Sequence, residues 1–171
     1  IVREALTDCE LVEFEKVGTL ESFNSDGLRS ILFMMPHIKN MKEKTLRYPG
    51  HVEYIKVLKD SGFFSENKIL VNGTEISPLD FTSKILFNEW KLEEELTVMR
   101  VTLKGKNPKG QTVEIIYNLY DEYCPETQTS SMARTTGYTA TAVANLFLEK
   151  LFTEKGIFPP EFIGKHAICF N

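Results

Sequence analysis

The feature that most limits the possible folds of this chain is a pair of long, β-branched stretches separated by a tight turn. Val98–Lys104 and Thr112–Asp121 both have the residue preferences of strands. The segment Asn107–Gly110 between them has ordinary turn chemistry, so the stretches are predicted to form a hairpin. Both faces of the second strand carry apolar side chains, so we expect a helix or a partner subunit to cover part of it. These side chains are Val113, Ile115, Tyr117 and Leu119 on one face, and Ile116 and Tyr120 on the other.

The longest helical signal follows this hairpin, at Met132–Phe152. Its apolar residues recur at helical spacing, and the small residues of its first half indicate close packing against a sheet. Further strands are predicted at Glu10–Lys16 and Met41–Tyr48, and Asn72-Gly73 predicts a second hairpin between short apolar runs. Shorter helices are predicted at Leu28–Met35, at Val52–Leu58, and after Ser77-Pro78 through Trp90.

These elements predict an α+β fold, with a mixed, largely antiparallel sheet covered by three or four helices. A length of 171 residues suits a single domain, and a hydrophobic fraction of 42% supplies a sizeable core. We therefore expect residues 1–171 to form one domain.

The charge balance and the cysteines exclude several classes of function. The net charge is −4, from 20 basic and 24 acidic residues, which argues against nucleic acid as a partner because phosphate binding needs a concentrated basic surface. No apolar stretch approaches the roughly 20 residues that span a bilayer, so no membrane partner is expected. Cys9, Cys124 and Cys169 are three in number and widely spaced, which favours reduced thiols in a cytoplasmic protein over disulfides or a metal site.

The sequence contains no recognisable nucleotide-phosphate cradle. No G-x-G-x-x-G follows a predicted strand, and no G-x-x-x-x-G-K-[ST] occurs. We therefore expect this chain alone to offer no such site for nucleotide phosphates.

Three segments, taken together and in order, carry a family resemblance. They are Gly18–Ser30, Thr45–His51 and Met132–Tyr138, and the third is followed later by Gly156–Glu161. In this arrangement the chain resembles the C-terminal substrate domain of the saccharopine dehydrogenase-like family, the group of saccharopine reductase and lysine 6-dehydrogenase. The resemblance runs from about Gly18 to about His166.

The resemblance implies a substrate-binding and dimerisation domain of a Rossmann-type oxidoreductase. Members transfer hydride between NAD or NADP and the carbon–nitrogen bond of an amino acid, and the cofactor carries the hard chemistry. They place a Rossmann domain before this one, and this chain lacks it. The chain also lacks the usual first strands before Leu11, so we expect it to be a fragment whose full-length protein is the active enzyme. We expect this chain alone to bind no NAD(P) and to show no dehydrogenase activity.

Arg47 and His51 are the main candidates for the substrate site. The resemblance implies that Arg47 binds substrate, and a planar guanidinium is a bidentate match for an amino-acid carboxylate. The alternative is a surface or interface arginine that ends a strand. His51 is the candidate acid–base group because imidazole titrates near neutral pH. It could equally cap the following helix or bond a backbone carbonyl.

Two polar clusters complete the candidate substrate-binding set. Asn24 and Asp26 match polar positions of the family motif, and their alternative role is an Asx turn that caps the next helix. Arg134, Thr135 and Thr136 stand at the start of the long helix, where exposed N–H groups favour an anion. Their alternative role is capping by a threonine.

Two classes of function remain open from sequence. The first is an enzyme domain that contributes substrate contacts to an oxidoreductase of lysine metabolism. The second is a non-catalytic dimerisation or ligand-binding module that kept the fold. Either way we expect a homodimer with the hairpin Val98–Asp121 in or near the interface, since exposed apolar patches usually mark contacts.

Overall fold

The computed structural model describes residues 3–90 and 95–170 of the chain. It divides into two compact units. The first contains residues 3–90 with Ile157–His166 and Phe170, and the second contains residues 95–156 with Ala167–Cys169. The prediction that residues 1–171 form one domain stays a prediction.

The first unit is built on a three-stranded antiparallel sheet. Its strands are β1 (Glu10–Phe14), β2 (Gly18–Asn24) and β3 (Lys44–Arg47), in that spatial order. A three-residue turn joins β1 to β2, with the N–H of Val17 donating to the carbonyl of Phe14 at 3.1 Å. The central strand β2 is therefore paired along both edges, which places its side chains in the middle of the unit.

A short helix α1 (Ile31–Met34) lies between β2 and β3, and helix α2 (His51–Asp60) begins four residues after β3 ends. The buried apolar side chains of this unit come from the sheet and from the first turn of α2. They are Phe14, Leu20, Phe23 and Val52. This small core fixes the start of α2 against β2, which matters for the site described below.

A hairpin and a capped helix complete the main part of the first unit. Strands β4 (Ile69–Val71) and β5 (Thr74–Ile76) pair across Asn72-Gly73, and both turn residues have positive φ, at 50° and 82°. Helix α3 (Pro78–Glu89) follows, and the Ser77 hydroxyl accepts from the Asp80 N–H at 3.2 Å. The hairpin and the serine cap are confirmed as predicted from the sequence.

The second unit consists mainly of one long hairpin and one long helix. Strands β6 (Leu96–Lys106) and β7 (Thr112–Glu122) are antiparallel over eleven residues each, and helix α4 (Ser131–Leu148) follows. The Ser130 hydroxyl caps α4 by accepting from the Ala133 N–H at 3.2 Å. The hairpin is confirmed and is longer at both ends than its β-branched core predicts.

Two short helices occur near the end of the chain, where no helix is predicted from the sequence. Helix α5 (Pro160–Ile163) belongs to the first unit, and the Ser30 hydroxyl donates to Glu161 at 2.9 Å. Helix α6 (Ala167–Phe170) is the other. Both are single turns, too short to show a helical period in sequence.

The α+β class is confirmed, but the expectation of one mixed sheet covered by helices is corrected. The described residues form three separate sheets, and every pairing between their strands is antiparallel. Strand β2 lies within Gly18–Ser30, a segment for which the sequence predicts no strand. The long helix ends at Leu148 rather than Phe152, and Phe152 instead folds back edge-on against Phe147, with ring centroids 5.2 Å apart.

Cys9, Cys124 and Cys169 are all free thiols. In the part of the chain that the structure describes, no helix has both the length and the apolar character needed to cross a bilayer.

Candidate substrate site at the start of helix α2

The candidate site lies at the corner where β3 leads into α2. Arg47 is the last residue of β3 and is exposed, and His51 is the first residue of α2. Between them, Gly50 has φ of 96°, a left-handed conformation that a side chain would strain. This tight turn brings Arg47 and His51 to one corner of the unit, and the two side chains interact electrostatically.

The guanidinium of Arg47 is open to an incoming anion. Its Nη1 donates to the carbonyl of Leu46 at 2.8 Å, a contact with a neighbouring backbone group. Among the described residues, no acidic side chain forms an ion pair with Arg47 within 4.0 Å. The remaining donors of its planar fork therefore have no charged partner within the unit.

Aromatic rings hold the imidazole of His51. The ring of Phe23 stacks nearly parallel to it, with centroids 6.1 Å apart and 13° between the planes. The ring of Trp90 is tilted by 50° at the same centroid distance. Burial lowers the pKa of His51, the guanidinium of Arg47 lowers it further, and the carboxylate of Glu21 acts in the opposite direction. The lowered pKa favours the neutral imidazole, which has a lone pair that can accept a proton.

Glu21 is the functional residue that sequence reasoning missed. It lies on β2 directly opposite Arg47, and its Oε2 accepts from the backbone N–H of Val52 at 3.3 Å. Helix α2 has no side-chain cap from its own N-cap, Gly50. The one available signal was an acidic residue inside the Gly18–Ser30 segment, but its register could not be known without recognising β2 as a strand.

Asn24 and Asp26 do not cap the next helix. The Asn24 amide donates to the Thr7 hydroxyl at 3.0 Å, which joins the end of β2 to the preceding segment. Asp26 is exposed and pairs with Arg29 at 3.4 Å. Helix α1 begins at Ile31 and has no side-chain cap. Their role in substrate binding stays a prediction, with Asn24 on the same sheet as Arg47 and Asp26 beyond its end.

The Arg134 cluster belongs to the second unit, and its charge is already compensated. Nη2 of Arg134 lies 3.1 Å from Oδ1 of Asp121, in a pair whose side chains are only 25% and 18% exposed. The guanidinium carbon also lies 5.7 Å from the centroid of the Tyr138 ring. These contacts favour a structural role for Arg134 over an anion site.

Neither of the threonines beside Arg134 caps the helix. The Thr135 hydroxyl donates back to the carbonyl of Ser131 at 2.9 Å, and Thr136 is exposed. Ser130, not a threonine, caps the helix. The carboxylate of Glu95 accepts from the N–H of Met132 at 2.8 Å, so a negative charge already stands where an anion was expected. Glu93 and Glu94, which precede Glu95 in the sequence, lie outside the described residues.

The described residues do not fit the phosphates of NAD(P). Dinucleotide phosphates bind at free helix N-termini, but each described helix longer than eight residues has a carboxylate there. Glu21 bonds the first turn of α2, Asp80 lies in the first turn of α3, and Glu95 bonds the first turn of α4. Nor do the described residues bring three or more potential ligands together in an arrangement that could hold a metal ion.

Comparison with known protein families identifies the family of the chain. The family model for the saccharopine dehydrogenase C-terminal domain matches residues 2–170. The chain belongs to the saccharopine dehydrogenase C-terminal domain family. Membership supports the context of a saccharopine dehydrogenase-like oxidoreductase, in which this domain is a substrate-binding part.

Proposed function

We propose that this chain supplies the substrate-binding site of an NAD(P)-dependent oxidoreductase that acts on the carbon–nitrogen bond of an amino acid of saccharopine or lysine type. Family membership supports the general class. The observation that carries the proposal is the uncompensated guanidinium of Arg47 beside the imidazole of His51. We further propose that the nicotinamide is bound by a Rossmann-type domain elsewhere in the full-length protein.

Arg47 binds the substrate carboxylate in this proposal. Its fork of N–H donors matches two carboxylate oxygens, and a charge-assisted pair is stronger than a neutral hydrogen bond. Its position at the end of an ordered strand reduces the ordering cost of binding, since the backbone is already fixed.

His51 accepts a proton from the substrate nitrogen. Oxidation of a C–N bond to C=N removes a hydride from carbon and a proton from nitrogen. In this proposal a residue of this chain accepts the proton. A neutral imidazole with a lowered pKa can take that proton near neutral pH. The flanking rings of Phe23 and Trp90 restrict its orientation.

The test is a substrate and cofactor screen of the full-length protein, followed by kinetics of Arg47 variants. Arg47→Ala should lower kcat/KM roughly 30- to 900-fold, equivalent to about 2–4 kcal/mol, because a charge-assisted contact is lost. Arg47→Lys should recover only part, because an ammonium cannot reproduce the fork. Arg100→Ala, on the exposed β6 strand of the second unit, is the control. Unchanged kcat/KM in Arg47→Ala removes Arg47 from the site and favours a module that kept only the fold.

We also propose that the protein is a homodimer that uses the hairpin β6–β7. One face of this hairpin is apolar along most of its length and exposed. Its members include Met99, Val101, Leu103, Ile115 and Tyr117, with exposures of 38–53%. A two-stranded sheet is marginal alone, and an apolar face of this size is typical of a contact surface. The other face carries Arg100, Lys104 and Glu114.

Sedimentation at several concentrations tests this assembly, with two glutamates placed on opposite faces of β7. Tyr117→Glu puts a charge on the apolar face and should weaken association at least tenfold, because a buried carboxylate is costly. Ile116→Glu, equally exposed but on the charged face, is the matched control and should leave association unchanged. Equal effects of both variants would move the interface away from the apolar face, and a monomer at tens of micromolar would end the proposal.

A further inference from the structure

Glu21 is the acidic residue that faces both side chains of the proposed site. It pairs across the sheet with Arg47 and also reaches the first turn of α2, where its Oε2 accepts from the Val52 N–H at 3.3 Å. In the described part of the chain no ion pair within 4.0 Å joins Glu21 to Arg47. The carboxylate is therefore held at the helix, and the guanidinium is left for another anion.

The start of α2 depends on an acceptor from outside the helix. The first N–H groups of a helix have no partner within it, and this end of the helix dipole is positive. Gly50 has no side chain to accept from them. The carbonyl of Tyr48 accepts from the N–H of His51 at 3.3 Å, and Glu21 accepts from the next one. A carboxylate on the central strand thus fixes where the helix begins, and His51 is its first residue.

We propose that Glu21 is a positioning residue that acts through His51, by fixing the start of α2 and by supplying the negative charge that keeps the imidazole able to take up a proton beside Arg47. This inference rests on the proposed acid–base role of His51. Glu21 does not need to touch the substrate, because its effect passes through the helix backbone and through the field at the ring.

The groups around His51 show why this charge matters. Arg47 faces it from β3 and Glu21 from β2, while the rings of Phe23 and Trp90 are uncharged. Burial and the guanidinium both lower the pKa of His51, and among the described residues the carboxylate of Glu21 is the group that opposes them. Without it, the imidazolium formed by proton uptake would stand in a partly buried place beside a second cation, which is unfavourable.

Glu21→Gln is the variant that separates charge from structure. The glutamine carbonyl can still accept from the Val52 N–H, and the side chains have nearly the same size. Glu21 also borders an open cavity of about 370 Å³, together with Lys56 and Val57, so the substitution does not have to fit a closed core. The variant therefore removes one negative charge and leaves the cap.

The experiment is an NMR titration of the His51 ring in the full-length protein, with the resonance assigned by its loss in His51→Gln. The apparent pKa of His51 should be lower in Glu21→Gln than in the wild type. Arg47→Gln should shift it upward, since a cation is removed. Glu53→Gln, an exposed carboxylate in the first turn of α2, is the matched control and should leave the titration unchanged.

Glu21→Asp tests whether Glu21 fixes the start of α2. It also provides a second measurement if Glu21→Gln does not fold. It keeps the charge but shortens its reach, so the Val52 amide should exchange with solvent faster. The inference is overturned if the Glu21→Gln titration superimposes on the wild type, or if Val52 exchange is unchanged in Glu21→Asp. These readouts need no turnover, whereas the kinetics of His51→Gln report separately on whether His51 acts in catalysis.

Discussion

Two arginines, one at the end of strand β3 and one near the start of helix α4, have opposite surroundings in this protein. Arg47 in the first unit is exposed, contacts one backbone carbonyl and has no ion pair among the described residues. Arg134 in the second unit is partly buried, pairs with Asp121 and lies near the Tyr138 ring. The sequence presents both as candidates for an anionic substrate, yet only one has an uncompensated charge.

The difference shows what makes an arginine available for binding. A guanidinium that already has a carboxylate would have to break that pair before binding a substrate, and separation of a shielded pair is expensive. An exposed guanidinium bonded only to a carbonyl loses little when a carboxylate arrives. Net charge and motif position cannot separate these cases, because the partner Asp121 is thirteen positions away on another element.

The largest expected difference between Arg134 and Arg47 is in how much each contributes to the free energy of unfolding. Arg134→Met should lower the free energy of unfolding by about 2–4 kcal/mol, because it leaves the shielded carboxylate of Asp121 without its partner. Arg47→Met should change it by less than about 0.5 kcal/mol, as is usual for an exposed side chain. Urea denaturation of both variants measures the two values.

A double variant sharpens this prediction. Arg134→Met with Asp121→Leu removes both charges and should recover much of the lost stability, since an apolar pair of similar size avoids the desolvation cost. The comparison breaks if Arg134→Met leaves stability unchanged and instead raises KM, because Arg134 would then be a substrate residue.

The second largest expected effect is the loss of stability when a buried serine hydroxyl is removed. Each unit contains one such serine. Ser131 is fully buried, and its hydroxyl lies 2.8 Å from Oγ1 of Thr97 and 3.1 Å from the carbonyl of Asp121. Ser22 is 3% exposed and has one partner, the carbonyl of Glu10 at 3.1 Å. Ser131→Ala should cost about 1–3 kcal/mol, and Ser22→Ala about 1 kcal/mol, because buried groups left without partners carry the desolvation penalty. Equal losses in thermal denaturation would contradict the ranking.

Local chemistry predicted some elements of the fold well. Asn72-Gly73, Ser77-Pro78 and the β-branched run of β7 each determine their structure within a few residues, so turn preference, capping and strand preference are enough. Strand β2 was missed because its side chains do not alternate simply: Leu20, Ser22 and Phe23 are all buried. Being paired along both edges, β2 is defined by its neighbours rather than by its own pattern.

The sequence predicts which residue types form the site, but it does not predict which of the charges are paired. Arg47 and His51 could be proposed because they are close in sequence. Glu21 could not, because it comes from a strand thirty residues earlier and its importance depends on the register that sets it opposite Arg47. The compensation of Arg134 by Asp121 was hidden for the same reason. Electrostatic roles follow from long-range pairing, which single-sequence patterns do not contain.

The smallest expected effect is at the ion pairs of Asp8, a residue of the segment before β1; of these, the pair with Lys42 is the exposed one. The carboxylate of Asp8 lies 2.5 Å from Nζ of Lys42 and 3.3 Å from Nζ of Lys44. Hydrogen bonds from Lys42 and then Lys44 lower the pKa of Asp8 below its ordinary value of 3.8. A carboxylate with a depressed pKa contributes stability that is present above the unfolded value and is lost as the pH falls through the folded value.

The unfolding free energies of wild type and Asp8→Asn should therefore differ by a constant, small amount above about pH 5, and the difference should vanish as Asp8 protonates below its ordinary pKa. About 1 M salt should also weaken the pair of Asp8 with Lys42, because these two side chains are 44% and 57% exposed and their charges are screened. The pair of Arg134 with Asp121 is more shielded, so its contribution should persist in the same salt. If salt reduced both equally, the two units would not differ in how their charges are exposed, and the contrast between Arg47 and Arg134 would lose its physical basis.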